Sequence, residues 1–201
     1  MSLPLWCILS LAIWLEDRNH IFYLQDRVGI DGMIFKGVKF RSMVFQAEKD
    51  IGPVQSCESD RRVTRLGRIL RQTAMDELPQ LLNILKGQMS FVGPRALRPF
   101  EIDGADNQPR DIRDFPGFRE RCSVRPGLTG IAQILAPRDV SRQDKFKYDI
   151  WYIHNQNFWL DIKIIIFSFM ITFMGKWELR RPRFRSLTHR LYDMVIKDIF
   201  Q

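Results

Sequence analysis

The sequence predicts an α+β fold: a mostly helical single domain with one short β-hairpin, a membrane-dipping N-terminal helix and amphipathic helices at an interface. Three observations predict it. Apolar residues recur at helical spacing around Leu66–Leu85 and Lys145–Asn155, while two strand-like runs flank Asp31-Gly32. Two apolar runs, Leu3 to Leu15 and Ile164 to Met174, are each shorter than the roughly 20 residues that cross a bilayer.

The first of these runs has Pro4 near its start, Trp6 and Trp14 near its ends, and Glu16-Asp17-Arg18 after it. It lacks the basic leader and small-residue cleavage site of a signal peptide. Aromatic ends and a sharp change to charge suit a helix that dips into a membrane or lies in its interface. A buried core helix satisfies the same residues. Next, Ile21-Phe22-Tyr23-Leu24 and Met33-Ile34-Phe35 predict a hairpin around Asp31-Gly32. Lys39 and Arg41 alternate with Phe40, so both bases leave one face of a strand, as candidate anion contacts. Residues 46–60 read as a surface loop, and Val63, Leu66, Ile69 and Leu70 predict a helix over 61–71.

The segment from Arg71 to Arg95 is the most informative. Pro79 is tolerated only in a helix's first turn, so a helix is predicted to begin near Asp76, with Asp76 as its cap and Glu77 in its first turn. Leu78, Leu81, Leu82 and Leu85 share one face, and Gly87 ends the helix. The two acids fit an ordinary capped helix. They also sit between Arg71 and Arg95, beside the turn Gly93-Pro94-Arg95, and phosphate chemistry uses that mixture of carboxylate nucleophile or metal ligand with guanidinium forks.

Residues 98–124 read as a long, exposed polar connection. Arg125-Pro126-Gly127-Leu128-Thr129-Gly130 predicts a type II turn, which explains the segment alone, although Arg125 beside turn amides also suits a phosphate. Lys145–Asn155 predicts an amphipathic helix carrying Asp149. The second apolar run follows, flanked by Trp159 and by Lys176, Arg180, Arg181, Arg183 and Arg185, as an interfacial helix on an anionic leaflet is. A core helix with a solvated basic tail is the alternative. The chain therefore divides into a membrane-dipping helix (1–19), a catalytic domain (20–175) and a basic tail (176–201).

Composition narrows the chemistry. A formal charge of +8 on 201 residues predicts an anionic partner: phosphorylated substrate, nucleic acid or acidic lipid. The scattered Cys7, Cys57 and Cys122 form neither a disulfide framework nor a zinc pattern, which points to a reducing compartment. There is no Walker A loop, Rossmann fingerprint or nucleic-acid-reading motif.

In order, these pieces resemble the bacterial sugar transferases, the monotopic polyprenyl-phosphate phosphoglycosyl transferases. The matching segments are Phe22 to Gly29, Lys39 to Met43, Leu66 to Leu85, Lys86 to Arg95, Arg125 to Gln133 and Tyr148 to Lys163, together covering Ile21 to Ser168. The resemblance implies transfer of a phosphosugar from a UDP-sugar to polyprenyl (undecaprenyl) phosphate, releasing UMP with Mg2+, at the first membrane step of a surface glycan pathway. It implies Asp76 as nucleophile, forming an aspartyl-phosphosugar intermediate, and Glu77 with Asp76 as the metal-holding pair. It implies Arg71, Arg95 and Arg138 as phosphate contacts, with Asp149 and Pro94 near the site. It implies inner-membrane lipid as a partner, a bacterial inner-membrane location on the cytoplasmic face, no nucleic acid, and an architecture that admits a homodimer.

The family's N-terminal element is a re-entrant helix broken at a proline; Pro4 matches the break, so a partial re-entrant membrane helix is expected. Two positions depart from the pattern. Gln88 replaces an aspartate after the helix-ending glycine, and Ala96 replaces the second proline of Gly-Pro-Arg-Pro. With the short N-terminus, Gln88 raises the alternative of a catalytically weakened, membrane-associated binding or scaffold relative.

Overall fold

Helix α1 (Leu3–Asp17) is unbroken and carries Pro4 in its first turn, where the missing N–H leaves no intrahelical bond unmade. The computed structural model describes residues 3–47, 60–102, 109–136 and 140–173. Leu9 and Ile13 of α1 pack on Phe40 and Leu70, with Trp6 edge-on to Phe40. Leu5, Ile8, Leu11, Trp14 and Leu15 are exposed. The run is thus a core helix on one face and an uncovered apolar surface on the other. Any break at Pro4 would involve residues 1 and 2, which lie outside the described residues.

The predicted hairpin is present. Strands β1 (Phe22–Val28) and β2 (Ile34–Phe40) pair antiparallel from Phe22 opposite Phe40 to Val28 opposite Ile34. Asp31 and Gly32 turn the chain with φ of 53° and 75°, the left-handed backbone that Asp and Gly tolerate best. The buried Asn83 fastens the hairpin from outside: its side-chain oxygen accepts from Val38 N at 3.0 Å, and its amide donates to Lys36 O at 2.8 Å.

Helix α2 (Arg65–Gln72) is capped by Thr64, whose hydroxyl accepts from Gly67 N at 2.9 Å. Gly67 lies so close to the Ser42 backbone that a Cβ would sit 2.0 Å from the Ser42 carbonyl oxygen. The next helix does not begin with Asp76 as its cap. Ala74, at φ 53°, holds the capping position, and Met75–Gln80 forms a 3-10 helix that leads into α3 (Leu81–Leu85). Pro79, lacking an N–H, removes one intrahelical donor from a segment that is already short.

Two further expectations change. The type II turn at Gly127 is instead a strand: β6 (Gly127–Thr129) runs parallel to β3 (Ser90–Val92), and Gly127 does not adopt positive φ. Bare backbone allows this. Cβ atoms built on Gly127 or Gly130 would meet Gly93 backbone atoms at 2.2 Å. The supposed polar connection also contributes structure. It holds the antiparallel pair β4 (Phe100–Ile102) and β5 (Pro109–Asp111) and the short helix α4 (Phe118–Arg121). Its Ile112, Phe115 and Cys122 join Val28, Leu97 and Phe146 in one core, because apolar residues spaced through a polar stretch are enough to bury it.

Helices α5 (Ile131–Leu135), α6 (Arg142–Asn155) and α7 (Phe158–Phe173) enclose the largest core, around Ile131, Trp151, Tyr152 and Ile164. Like α1, α7 is apolar on two sides: Leu160, Ile164 and Ile171 are buried, while Phe158, Trp159, Ile165, Ile166 and Phe169 are exposed. Among the described residues no helix is long and apolar enough to cross a membrane. Met174 and the basic tail lie outside the described residues.

Candidate active site

One face of the hairpin, the 3-10 segment and the loop after β3 meet around a shallow, open recess. Strand alternation selects its residues. Gln25 lies opposite Gly37, and with Arg27 and Lys39 they share a face of the hairpin and line the recess, together with Glu77, Gln80, Arg95 and the backbone of Gly127. A Cβ on Gly37 would sit 3.0 Å from Arg27 Cγ, so the glycine lets Arg27 lie across the sheet. Arg27 donates to the Ala96 carbonyl at 2.8 Å and to Gln25, whose amide donates to the Tyr23 hydroxyl at 3.1 Å.

The two acids differ in kind. Glu77 is one-fifth exposed, accepts from Lys39 Nζ at 2.5 Å, and has an Arg95 nitrogen 3.6 Å away. Burial pushes its carboxyl up, but Lys39 and Arg95 pull harder and hold it at about 2. Asp76 is buried, at 9% exposed, and does not line the recess. Burial raises it to about 6 against the pull of Lys39, with the neighbouring Glu77 charge adding to the rise and Arg71 and Arg95 opposing it. Adjacent carboxyls whose environments push them apart are a feature of acid-base and nucleophilic sites.

Arg95 is held through its backbone. It bridges to Gly127, and Gly127 N donates to the carbonyl of the fully buried Pro94 at 2.8 Å. From the other side Arg121, 3% exposed, donates to the Arg95 carbonyl. Arg121 pairs with Asp149 at 2.7 Å and lies over the Phe146 ring at 4.8 Å, both one helix away on α6. Burial raises the Asp149 carboxyl and Arg121 opposes the rise. Asp149 therefore bears on the site through Arg121 and the Arg95 backbone, and through the Arg95 charge.

The sequence-predicted residues separate accordingly. Lys39, Glu77 and Arg95 come together at the recess, with Asp76 beside them. Arg71 acts on Asp76 electrostatically while donating to the Ser42 hydroxyl at 2.8 Å. Arg41 does not join Lys39: it forms a two-pronged pair with Asp17 and donates to the His20 carbonyl at 2.5 Å, tying the hairpin to α1. The Arg125 side chain is exposed and does not line the recess; its carbonyl packs on Gly93. Arg138 lies outside the described residues. Four residues escaped sequence reasoning. Strand alternation back from Lys39 reaches Gln25 and Arg27, and Gln80 stands three residues after Glu77 in the same turn. Nothing in the sequence points to Arg121.

Gln88 also receives its role. Its side-chain oxygen accepts from the Asn83 amide at 2.8 Å, completing the tie between α3 and the hairpin. A neutral acceptor serves there, so the missing charge falls on a structural contact. As to metal, no cluster of three or more His, Cys, Asp or Glu is found among the described residues. Mg2+ is commonly held by one or two carboxylates plus substrate phosphates, and the adjacent Asp76 and Glu77 fit that donor set.

Comparison with known proteins matches residues 1–175 to the pattern of a family described as bacterial sugar transferase. The chain is 36% identical, over 86% of its length, to the UDP-glucose:undecaprenyl-phosphate glucose-1-phosphate transferase of Klebsiella pneumoniae, and covers 37% of that protein. It is 37% identical over 82% of its length to the UDP-N-acetylgalactosamine-undecaprenyl-phosphate N-acetylgalactosaminephosphotransferase of Aeromonas hydrophila, covering 39% of it. Against the UDP-glucose:undecaprenyl-phosphate glucose-1-phosphate transferase of Caulobacter vibrioides the identity is 40% over 81% of this chain and 60% of the relative. The chain thus spans well under half the length of the first two and three-fifths of the third.

Proposed function

This chain belongs to the bacterial sugar transferase family, and on that premise we propose that it transfers a phosphosugar from a UDP-sugar to undecaprenyl phosphate or a similar polyprenyl phosphate, releasing UMP. The observation that carries the reading is the Asp76–Glu77 pair, set among Lys39, Arg71 and Arg95 at the edge of a cationic recess.

An Asp76 carboxylate oxygen attacks the phosphorus next to the sugar. The bond from that phosphorus to the bridging oxygen breaks, and its electron pair leaves with UMP. The acceptor's phosphate oxygen then attacks the same phosphorus, and the bond to Asp76 breaks, restoring the carboxylate. Two displacements at one residue let a water-soluble donor and a lipid acceptor use the site in turn. Lys39, Arg27 and Arg95 supply fixed positive charge where phosphoryl oxygens gather, and Glu77 with Asp76 would hold Mg2+, whose chemistry is to neutralise the diphosphate. Asp76 attacks only when ionised, so it must shed the proton that burial favours. Lys39, Arg71 and Arg95 favour that loss, and Mg2+ held beside them would add to it. The uncovered faces of α1 and α7 fit attachment to the membrane that carries the acceptor, on its cytoplasmic face.

The test is UMP release from a panel of radiolabelled UDP-sugars with undecaprenyl phosphate and Mg2+. Wild-type protein should turn over at least one donor, and Asp76→Asn should abolish turnover and the label trapped on protein by rapid denaturation. Substantial turnover by Asp76→Asn would remove Asp76 as nucleophile.

A further inference from the structure

Three side-chain amides lie in or beside the hairpin, and two are fully engaged. Asn83 exchanges bonds with Val38, Lys36 and Gln88. Gln25 accepts from Arg27 and donates to Tyr23. Gln80 differs. It is 7% exposed, lines the recess, and no described residue hydrogen-bonds its side-chain amide. Its amide atoms are not sealed from the recess that the residue lines, so a ligand there can reach them.

Its position in the chain says what that ligand touches. In a 3-10 helix, side chains three apart eclipse, and Gln80 stands three residues after Glu77 in Met75–Gln80. Gln80 therefore shares the face of the turn that carries the metal-fitting carboxylate into the recess. The other side chains there that suit an anion are Lys39, Arg27 and Arg95, which donate only and match phosphoryl oxygens. An amide offers one acceptor and two donors. A fully ionised phosphate has no proton to give the acceptor, whereas a hydroxyl both gives and takes.

We propose that the Gln80 amide binds a hydroxyl of the donor's sugar, on the side of the recess next to the phosphate that the cations hold, and so contributes to donor selection. The inference rests on the transferase reading above. It makes Gln80 a substrate-binding residue rather than a support for the turn.

The experiment compares wild type with Gln80→Leu, which is one atom shorter, fills a similar volume and removes hydrogen bonding, on a preferred UDP-sugar and on the same donor lacking one sugar hydroxyl at a time. The variant should melt close to wild type, since no described residue bonds the amide it loses, and its KM for the intact donor should rise about tenfold or more. Wild type should lose about tenfold or more in kcat/KM on one deoxy donor, and Gln80→Leu should lose nothing further on that donor. Equal losses for the two proteins on every deoxy donor, or an unchanged KM, would overturn the inference while leaving the transferase reading intact. A wild-type protein that turns over no donor would overturn that reading, and the inference with it.

Discussion

At the scale of single residues, the two adjacent acids hold opposite positions in the stability of the protein. Asp76 is raised to about 6, so between about pH 4 and that value the native state keeps a proton that the unfolded chain has released. Stability from this residue is therefore present at low pH and is lost as pH rises through that window. Glu77 is depressed, so its contribution is present above the ordinary glutamate range and is lost as pH falls toward about 2. Asp76→Asn removes the buried charge and nothing else of size. In metal-free buffer it should melt higher than wild type near pH 7, with the advantage fading below about pH 4, while turnover is absent throughout. A lower melting temperature near neutrality would show that the carboxylate stabilises the fold. The acids and Arg95 were legible in the sequence because short spacing put them together. Arg41 was misplaced because alternation along a strand gives a face and not a partner, and the partner, Asp17, comes from another element. Arg121 was invisible because its two contacts join chain segments far apart.

At the scale of elements, helices α4 and α6 support the loop after β3 through one buried pair. Asp149→Asn leaves the Arg121 guanidinium buried without a counter-charge, a loss of about 3–5 kcal/mol for such pairs. It should also loosen the hold of Arg121 on the Arg95 carbonyl. Replacing both partners by apolar residues, Arg121→Met with Asp149→Leu, should recover most of the stability but not the turnover. Thermal melting and donor kinetics on the three proteins check this, and full turnover in the double variant would reduce the pair to a packing role. The sequence conveyed the hairpin and the long helices, whose periodicity is local. It concealed β6, which exists only because a distant strand lies alongside it, and it concealed the core residues of 98–124, whose apolar side chains are too sparse to form a period.

At the scale of the whole molecule, most of the large apolar side chains exposed among the described residues lie on α1, α7 and the hairpin. Insertion of these faces is insensitive to salt, whereas attraction of basic residues to an anionic surface, about 1 kcal/mol each, is screened. The 201-residue chain should stay in the membrane fraction through high salt and leave with detergent. Leu11→Lys together with Ile166→Lys alters only uncovered positions, so the protein should keep its melting temperature and shift toward the soluble fraction in high salt. Unchanged partitioning of that variant would direct the search for the attachment surface to other parts of the chain.

The contact between Gly93, Gly127 and Gly130 also sets an order of events during synthesis. Gln25, Arg27, Lys39, Asp76, Glu77 and Gln80 all leave the ribosome before the strand that seats the Arg95 loop has been made. Until β6 emerges and lies bare backbone to bare backbone on Gly93, the nascent chain carries the acids and cations with one wall of the recess missing. The apolar α1, by contrast, lies ahead of all these segments in the chain. The apolar face of that helix is therefore complete before the recess is, so the order of synthesis separates the making of the uncovered surface from the making of the site.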